Sequence, residues 1–168
     1  MATSPDWYAI HVRSRHEFVV FAELSLNGIE AFLPSVTKVR QWKDRKKQVR
    51  FALFPGYCFV RTAPHQDEYR MILKIKGVVT FVCLEKNKPV PVPSEEITSL
   101  KSMIDSGAEP FIYPGLELGA RVKVTRGPLR DVEGVLVKKE NVDIFVINIG
   151  ILGRSAGIRM SADDIEAC

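Results

Sequence analysis

Two glycine-punctuated stretches, one in each half of the chain, constrain its fold more than anything else in the sequence. Residues 53–60 read Leu-Phe-Pro-Gly-Tyr-Cys-Phe-Val, and residues 119–137 read Gly-Ala-Arg-Val-Lys-Val-Thr-Arg-Gly-Pro-Leu-Arg-Asp-Val-Glu-Gly-Val-Leu-Val. In the first, Pro55 presets φ and Gly56 tolerates positive φ, so the chain turns sharply into a strand. That strand, residues 57–60, is apolar throughout and reads as a central one. In the second, Val122 and Val124 alternate with polar residues. Gly127-Pro128 then makes a hairpin corner before Leu129, and Gly134 permits the close strand crossing of a small barrel. The aromatics Phe54 and Tyr57 either fill the core or stay exposed as interface anchors.

The remaining segments follow from periodicity and punctuation. Residues 7–12 form an aromatic and branched run, read as a strand. Ser14 and Glu17 have the spacing of a capping box, Val20, Phe21 and Leu24 recur at helical spacing, and Asn27-Gly28 supplies a stop, giving a helix over 15–27. A short strand over 29–33 ends at Pro34. Residues 36–42 and 48–51 alternate about the charged tip 43–47, the pattern of a β-hairpin. Residues 67–75 read as a helix and 78–84 as a strand, while the prolines in 89–93 exclude a ladder interior. Ser94 is a good N-cap for a last helix with Ile97, Leu100 and Ile104 as its stripe. Residues 105–118 break all periodicity. Five short strands follow, over 121–126, 132–138, 143–148, 151–160 and 162–165. The expected class is α+β: a first domain over 1–106 with a central antiparallel sheet flanked by helices, a linker over 107–116, and a small five-stranded β-barrel over 117–168.

At 168 residues the chain suits one domain or two small ones, and 46% apolar with 26% charged residues is an ordinary globular balance. No run approaches the roughly 20 apolar residues that cross a bilayer, and the first residues lack the basic-then-apolar pattern of a secretory signal. Cys58, Cys83 and Cys168 form no metal spacing and no disulfide framework, which suits a reducing cytoplasm. Charge is uneven. Residues 1–106 hold 16 Lys and Arg against 11 Asp and Glu (+5), and residues 107–168 hold 8 against 9 (−1). Seven cations and one anion fall within 38–50, either a solvated hairpin tip or a surface that attracts phosphate polymers. No Ser/His/Asp set, glycine-rich carboxylate pair or P-loop is present. His11, His16 and His65 have no cysteine or acidic partner at ligand spacing. An enzyme, a metal and a cofactor are therefore not expected.

Nearly the whole chain, residues 5–166, resembles the NusG family of transcription elongation factors, with its N-terminal NGN domain and its SH3-like KOW barrel. The resemblance rests on Trp7-Tyr8, on Leu53-Phe-Pro-Gly-Tyr57, on Gly77-Val-Val-Thr-Phe-Val82, on Pro114-Gly115, on the 119–137 segment and on Ile151-Leu-Gly-Arg154. The runs Arg13-Ser-Arg-His-Glu17 and Arg40-Gln-Trp-Lys-Asp-Arg-Lys-Lys47 are more similar to the operon-specific antiterminators of the UpxY and RfaH type. The resemblance implies an NGN domain that docks on the clamp helices of the RNA polymerase β′ subunit through Tyr8, His11, Phe54, Tyr57 and Phe59, and bridges toward the β subunit. It implies contact of Arg13, Arg15, His16 and Lys76 with the non-template DNA strand of the bubble, to which the hairpin residues Lys43 and Arg45 are added. Glu68-Tyr69-Arg70-Met71 departs from the hydroxyl-rich stretch that the operon-specific relative turns toward the β subunit. On the barrel, Gly127, Pro128, Leu129 and Leu152 are the partner-binding positions, the family's partners there being the termination factor Rho or a small-subunit ribosomal protein. Leu152 stands where the general factor has a Phe, which implies weakened or absent Rho engagement. A monomer promoting processive elongation is expected. The alternatives are a general NusG-type factor and a KOW-containing RNA- or ribosome-binding protein.

Overall fold

A computed structural model of the chain describes residues 4–63 and 67–168, so His65 lies outside the described residues. The chain divides into two compact units, Met1–Pro91 and Val92–Cys168.

In the first unit the order is β1 (Asp6–Val12), α1 (Glu17–Leu26), β2 (Ala31–Phe32), β3 (Ser35–Trp42), β4 (Arg45–Ala52), β5 (Tyr57–Thr62), α2 (Asp67–Lys74), β6 (Val78–Phe81), β7 (Cys83–Glu85) and β8 (Lys88–Pro89). The main sheet runs β2-β5-β1-β6, every neighbour antiparallel. β5 is interior, as its unbroken apolar run implies. Tyr8, Ile10 and Val12 alternate along β1 and meet Val20 and Leu24, one turn apart on α1, with Cys58, Val60, Ile72 and Phe81 completing the core. β3 and β4 form a separate two-stranded ribbon whose turn is Lys43-Asp44, tighter than the five-residue tip expected.

The second unit holds α3 (Ser94–Asp105), β9 (Phe111–Tyr113), β10 (Ala120–Val124), β11 (Glu133–Lys139), β12 (Val142–Ile149), β13 (Arg154–Arg159) and β14 (Ile165–Ala167). Its sheet runs β14-β10-β11-β12-β13-β9. Four of the five expected strands are present. The fifth, expected over 162–165, is a 3-10 turn over Ala162–Asp164, with the strand beginning only at Ile165. A further strand, β9, comes from within the expected linker and pairs with β13. α3 lies against β12 and buries Ile97, Leu100 and Met103; Met103, not Ile104, completes its stripe. The compact division thus falls before α3, upstream of the expected linker. Gly134 is where a close crossing is needed. A Cβ there would sit 2.5 Å from the Val146 carbonyl oxygen and 2.8 Å from the Phe145 ring. Among the described residues no helix is long and apolar enough to cross a membrane.

Candidate functional site

The 53–60 corner is held from three directions. Gly56 takes φ +86°, its carbonyl accepts from the Val12 N–H at 2.8 Å, and the Tyr57 N–H closes the turn onto the Phe54 carbonyl at 3.1 Å. The third hold is Glu17. The Ser14–Glu17 spacing builds no capping box, since the helix starts at His16 without a side-chain cap. The Glu17 carboxylate instead turns inward, is 7% exposed, and accepts the Gly56 N–H at 2.9 Å across 39 residues of sequence. A buried carboxylate has to find a donor, and here the donor is a backbone amide of a different element.

This corner sets Tyr57 beside His11. The two are cross-strand partners on β5 and β1, with ring centroids 5.5 Å apart and planes at 46°. On the far side of His11 the register places Thr80 of β6. Tyr57, His11 and Thr80 therefore form a row across one end of the sheet, Tyr57 half-buried and the others exposed. The remaining aromatics of the expected patch are elsewhere: Tyr8, Phe54 and Phe59 are 4%, 1% and 0% exposed. Tyr8 meets Phe81 edge-on at 6.1 Å and Phe59 stacks on Phe32 at 6.2 Å. Burial, with the Asp6 charge assisting, raises the Tyr8 phenol above its ordinary range. Those three rings are core: Tyr8 and Phe59 sit on interior strands with both faces covered, and Phe54 turns inward from the bend that leads into β5. A surface on this face rests on Tyr57 and His11.

The expected cations Arg13, Arg15, His16 and Lys76 are brought together at the same end of β1. The Arg13 N–H donates to the Gly77 carbonyl at 2.8 Å, and the His16 N–H returns to the Arg13 carbonyl at 3.0 Å. His16 Nδ1 lies 2.9 Å from the Ser14 carbonyl, and Arg15 adopts φ +65° to make the turn. Gly77, at φ +103°, permits this approach, because a Cβ there would lie 2.8 Å from Val20 Cγ2 and 3.2 Å from His16 Cβ. Arg13, Arg15 and Lys76 are exposed and His16 is half-buried. Three cations on one short stretch of surface suit backbone phosphate.

Lys43 and Arg45 are not in this cluster; they lie on the β3–β4 ribbon. The ribbon's base is fixed by Arg50, whose Nε donates to Ser35 Oγ at 2.7 Å while its guanidinium covers the Phe18 ring at 5.3 Å. In the second unit, Gly127 (φ +89°) and Pro128 are exposed in the β10–β11 loop, but Leu129 is buried and offers no contact surface. Leu152 is half-buried in the 3-10 turn Gly150–Leu152, in the β12–β13 loop. Thr80 and Glu17 were missed from sequence. Strand register alone finds the first, and only the folded packing finds the second.

Comparison with known proteins follows the same lines. A family model described as "Transcription termination factor nusG" matches residues 5–101. The chain is 28% identical over 174 residues to the transcription termination/antitermination protein NusG of Pseudomonas aeruginosa, covering 95% of this chain and 97% of that protein. It is 24% identical over 181 residues to the protein of the same name from Escherichia coli K12, covering 98% and 97%. A solved structure described as "Domain interaction in Thermotoga maritima NusG" is similar in fold, with a TM-score of 0.55, 24% identity and 99% of both chains covered.

Proposed function

The chain belongs to the NusG family of transcription factors, and from that premise we propose that it is an operon-specific elongation and antitermination factor acting in the cytoplasm. Its first domain, taken as residues 1–106 in keeping with the reach of the family model, binds RNA polymerase. The observation that carries this reading is the Tyr57–His11 pair, set on the surface by a buried carboxylate and flanked by Arg13, Arg15, His16 and Lys76. An aromatic pair presents contact area with little side-chain freedom to lose, which suits docking on the β′ clamp helices. The adjoining cations hold the non-template strand by its phosphates. The β subunit is a second contact. Residues 117–168 are the KOW domain, and the segment 107–116 that leads into it lends that domain's sheet the strand β9. Through the exposed Gly127-Pro128 corner and Leu152 this domain meets a small-subunit ribosomal protein. Leu152 gives a smaller, non-aromatic contact than Phe, so Rho is engaged weakly or not at all. The names of the relatives favour a general factor; Leu152 and the runs Arg13-Ser-Arg-His-Glu17 and Arg40-Gln-Trp-Lys-Asp-Arg-Lys-Lys47 favour a specialised one.

Replacing Tyr57 by Ala should weaken binding to an elongation complex by roughly 30-fold, the scale of a buried aromatic anchor, with little change in melting temperature. Unchanged affinity would sink the polymerase reading. Occupancy mapped across a genome separates the two kinds of factor, since presence on most transcribed genes excludes operon specificity.

A further inference from the structure

We infer that one face of the β3–β4 ribbon is a binding surface for double-stranded nucleic acid, separate from the cluster around Arg13. The ladder is continuous from Ser35↔Ala52 to Trp42↔Arg45, and its register sorts the side chains. Because side chains alternate, Lys38, Arg40 and Trp42 share a face with Arg45, Lys47, Val49 and Phe51. That face collects four of the seven cations of 38–50, while the only anion of the run, Asp44, sits in the turn.

Two features of the face point outward. Arg40 is directly opposite Lys47, and like charges so placed destabilise a ladder. A polyanion removes that repulsion. Trp42, a large aromatic at the tip, is 56% exposed, with the Lys47 ammonium 5.6 Å from its ring centroid. Lower on the same face the Arg40 guanidinium lies 4.7 Å from the Phe51 centroid, which covers that ring and aims the cation.

The shape selects duplex over single strand. Single strands are held on successive exposed aromatic platforms, and here one ring is open while the other lies under a guanidinium. A two-stranded ribbon fits a major groove about 12 Å wide. Neighbouring cations on one strand recur at about 6.6 Å, close to twice the 3.4 Å axial spacing of phosphates on a strand. Arg50 does not belong to this surface. It is on the opposite face, where it anchors the ribbon to α1.

The test is titration of the full chain with a short fluorescein-labelled DNA duplex of arbitrary sequence, read by anisotropy and by Trp42 fluorescence. Of the two tryptophans, Trp7 is buried, so Trp42 is the one that responds. Duplex should bind more tightly than single strand of equal length, with quenching of Trp42. The variant Lys38→Gln/Arg40→Gln/Arg45→Gln/Lys47→Gln should lose affinity at least about tenfold at low salt, and its salt slope should shrink by about 3. If that variant fails to fold, Arg40→Gln/Lys47→Gln is used, with a proportionately smaller loss. A charge-matched variant, Lys46→Gln/Lys86→Gln/Arg130→Gln/Lys138→Gln, should keep most of the affinity. Tyr57→Ala should bind duplex normally, so failure of the polymerase reading leaves this result intact. The inference is overturned if the four-cation variant binds like the parent, if the charge-matched variant loses as much, or if single strand binds better. It is equally overturned if polyglutamate quenches Trp42 and displaces duplex at equal charge concentration, which would mark an acidic protein as the occupant.

Discussion

Replacing Glu17 by Ala tests whether the corner at 54–57 depends on a single carboxylate. The substitution removes the acceptor of the Gly56 N–H, a 2.9 Å bond in a site where Glu17 is nearly sealed from water. A hydrogen bond to a charged group contributes roughly 1.5–3 kcal/mol. Loss of an acidic group from the first turn of α1 adds about 0.5 kcal/mol through the helix dipole. The expected destabilisation is therefore about 2–3.5 kcal/mol. For a unit of this size each kcal/mol moves the midpoint by about 4–8 °C, so the first unit should melt at least about 8 °C lower. Glu17→Gln keeps an oxygen acceptor without the charge and should fall about half as far. Thermal melts followed by circular dichroism measure both. A second reading separates a positioning role from mere stability. At a temperature where all three proteins are folded, Ala should weaken polymerase binding and Gln should partly restore it, although neither residue touches the partner. An Ala variant that melts within about 2 °C of the parent would refute the reasoning, because the Gly56 amide would then have another acceptor or none would be needed.

Gly77→Ala places a methyl 2.8 Å from Val20 Cγ2 at a φ of +103°, so a loss of about 1–3 kcal/mol is expected by chemical denaturation. Single-strand DNA binding should weaken with it, because Arg13 is hung from the Gly77 carbonyl. Gly134→Ala drives a Cβ to 2.5 Å from the Val146 carbonyl, and the second unit should lose about 3 kcal/mol or more, seen as early amide exchange in β11 and β12. Glu96 gives a pH test. Burial raises its carboxyl above the ordinary range, the Gly150 N–H opposes that rise and the Glu95 charge adds to it, while Oε2 has no hydrogen-bond partner. The native state then holds the proton more tightly than the unfolded chain. Its contribution is fully present below about pH 4 and is lost as pH rises through the raised native value. Glu96→Gln should accordingly be more stable than the parent at pH 7, with the gap closing in acid; a gap that widens in acid contradicts the assignment.

Much of the fold was legible because its signals are local. The alternation of 36–42 and 48–51 identified the ribbon, and the apolar run of 57–60 identified an interior strand. The glycine corners of the second unit marked strands β10 to β13. What escaped is non-local. Ser14 and Glu17 have a spacing that satisfies a helix start by itself, yet the carboxylate found a backbone amide 39 positions away. Phe111-Ile112-Tyr113 lies between Pro110 and Pro114, so its punctuation reads as linker, and only the free edge of β13 makes it a strand. The candidate site divided for the same reason. Arg13, Arg15, His16 and Lys76 lie together because their turns share backbone bonds. Tyr8 and Phe59 sank because pleating on a covered sheet leaves an aromatic no choice of side, and Phe54 is buried from the bend before β5.

The rims of the sheets carry one more consequence. Outer strands of two or three residues, β2, β9 and β14, present too few free amides to template another chain. Among the described residues, only the β3–β4 ribbon exposes eight-residue rims on both flanks. Its density of positive charge makes two such ribbons repel before they can zip together. The guard weakens with salt, since screening at 1 M shortens the reach of charge to about 3 Å. The feature that invites phosphate therefore also keeps copies of the molecule apart, and it does so best in dilute electrolyte.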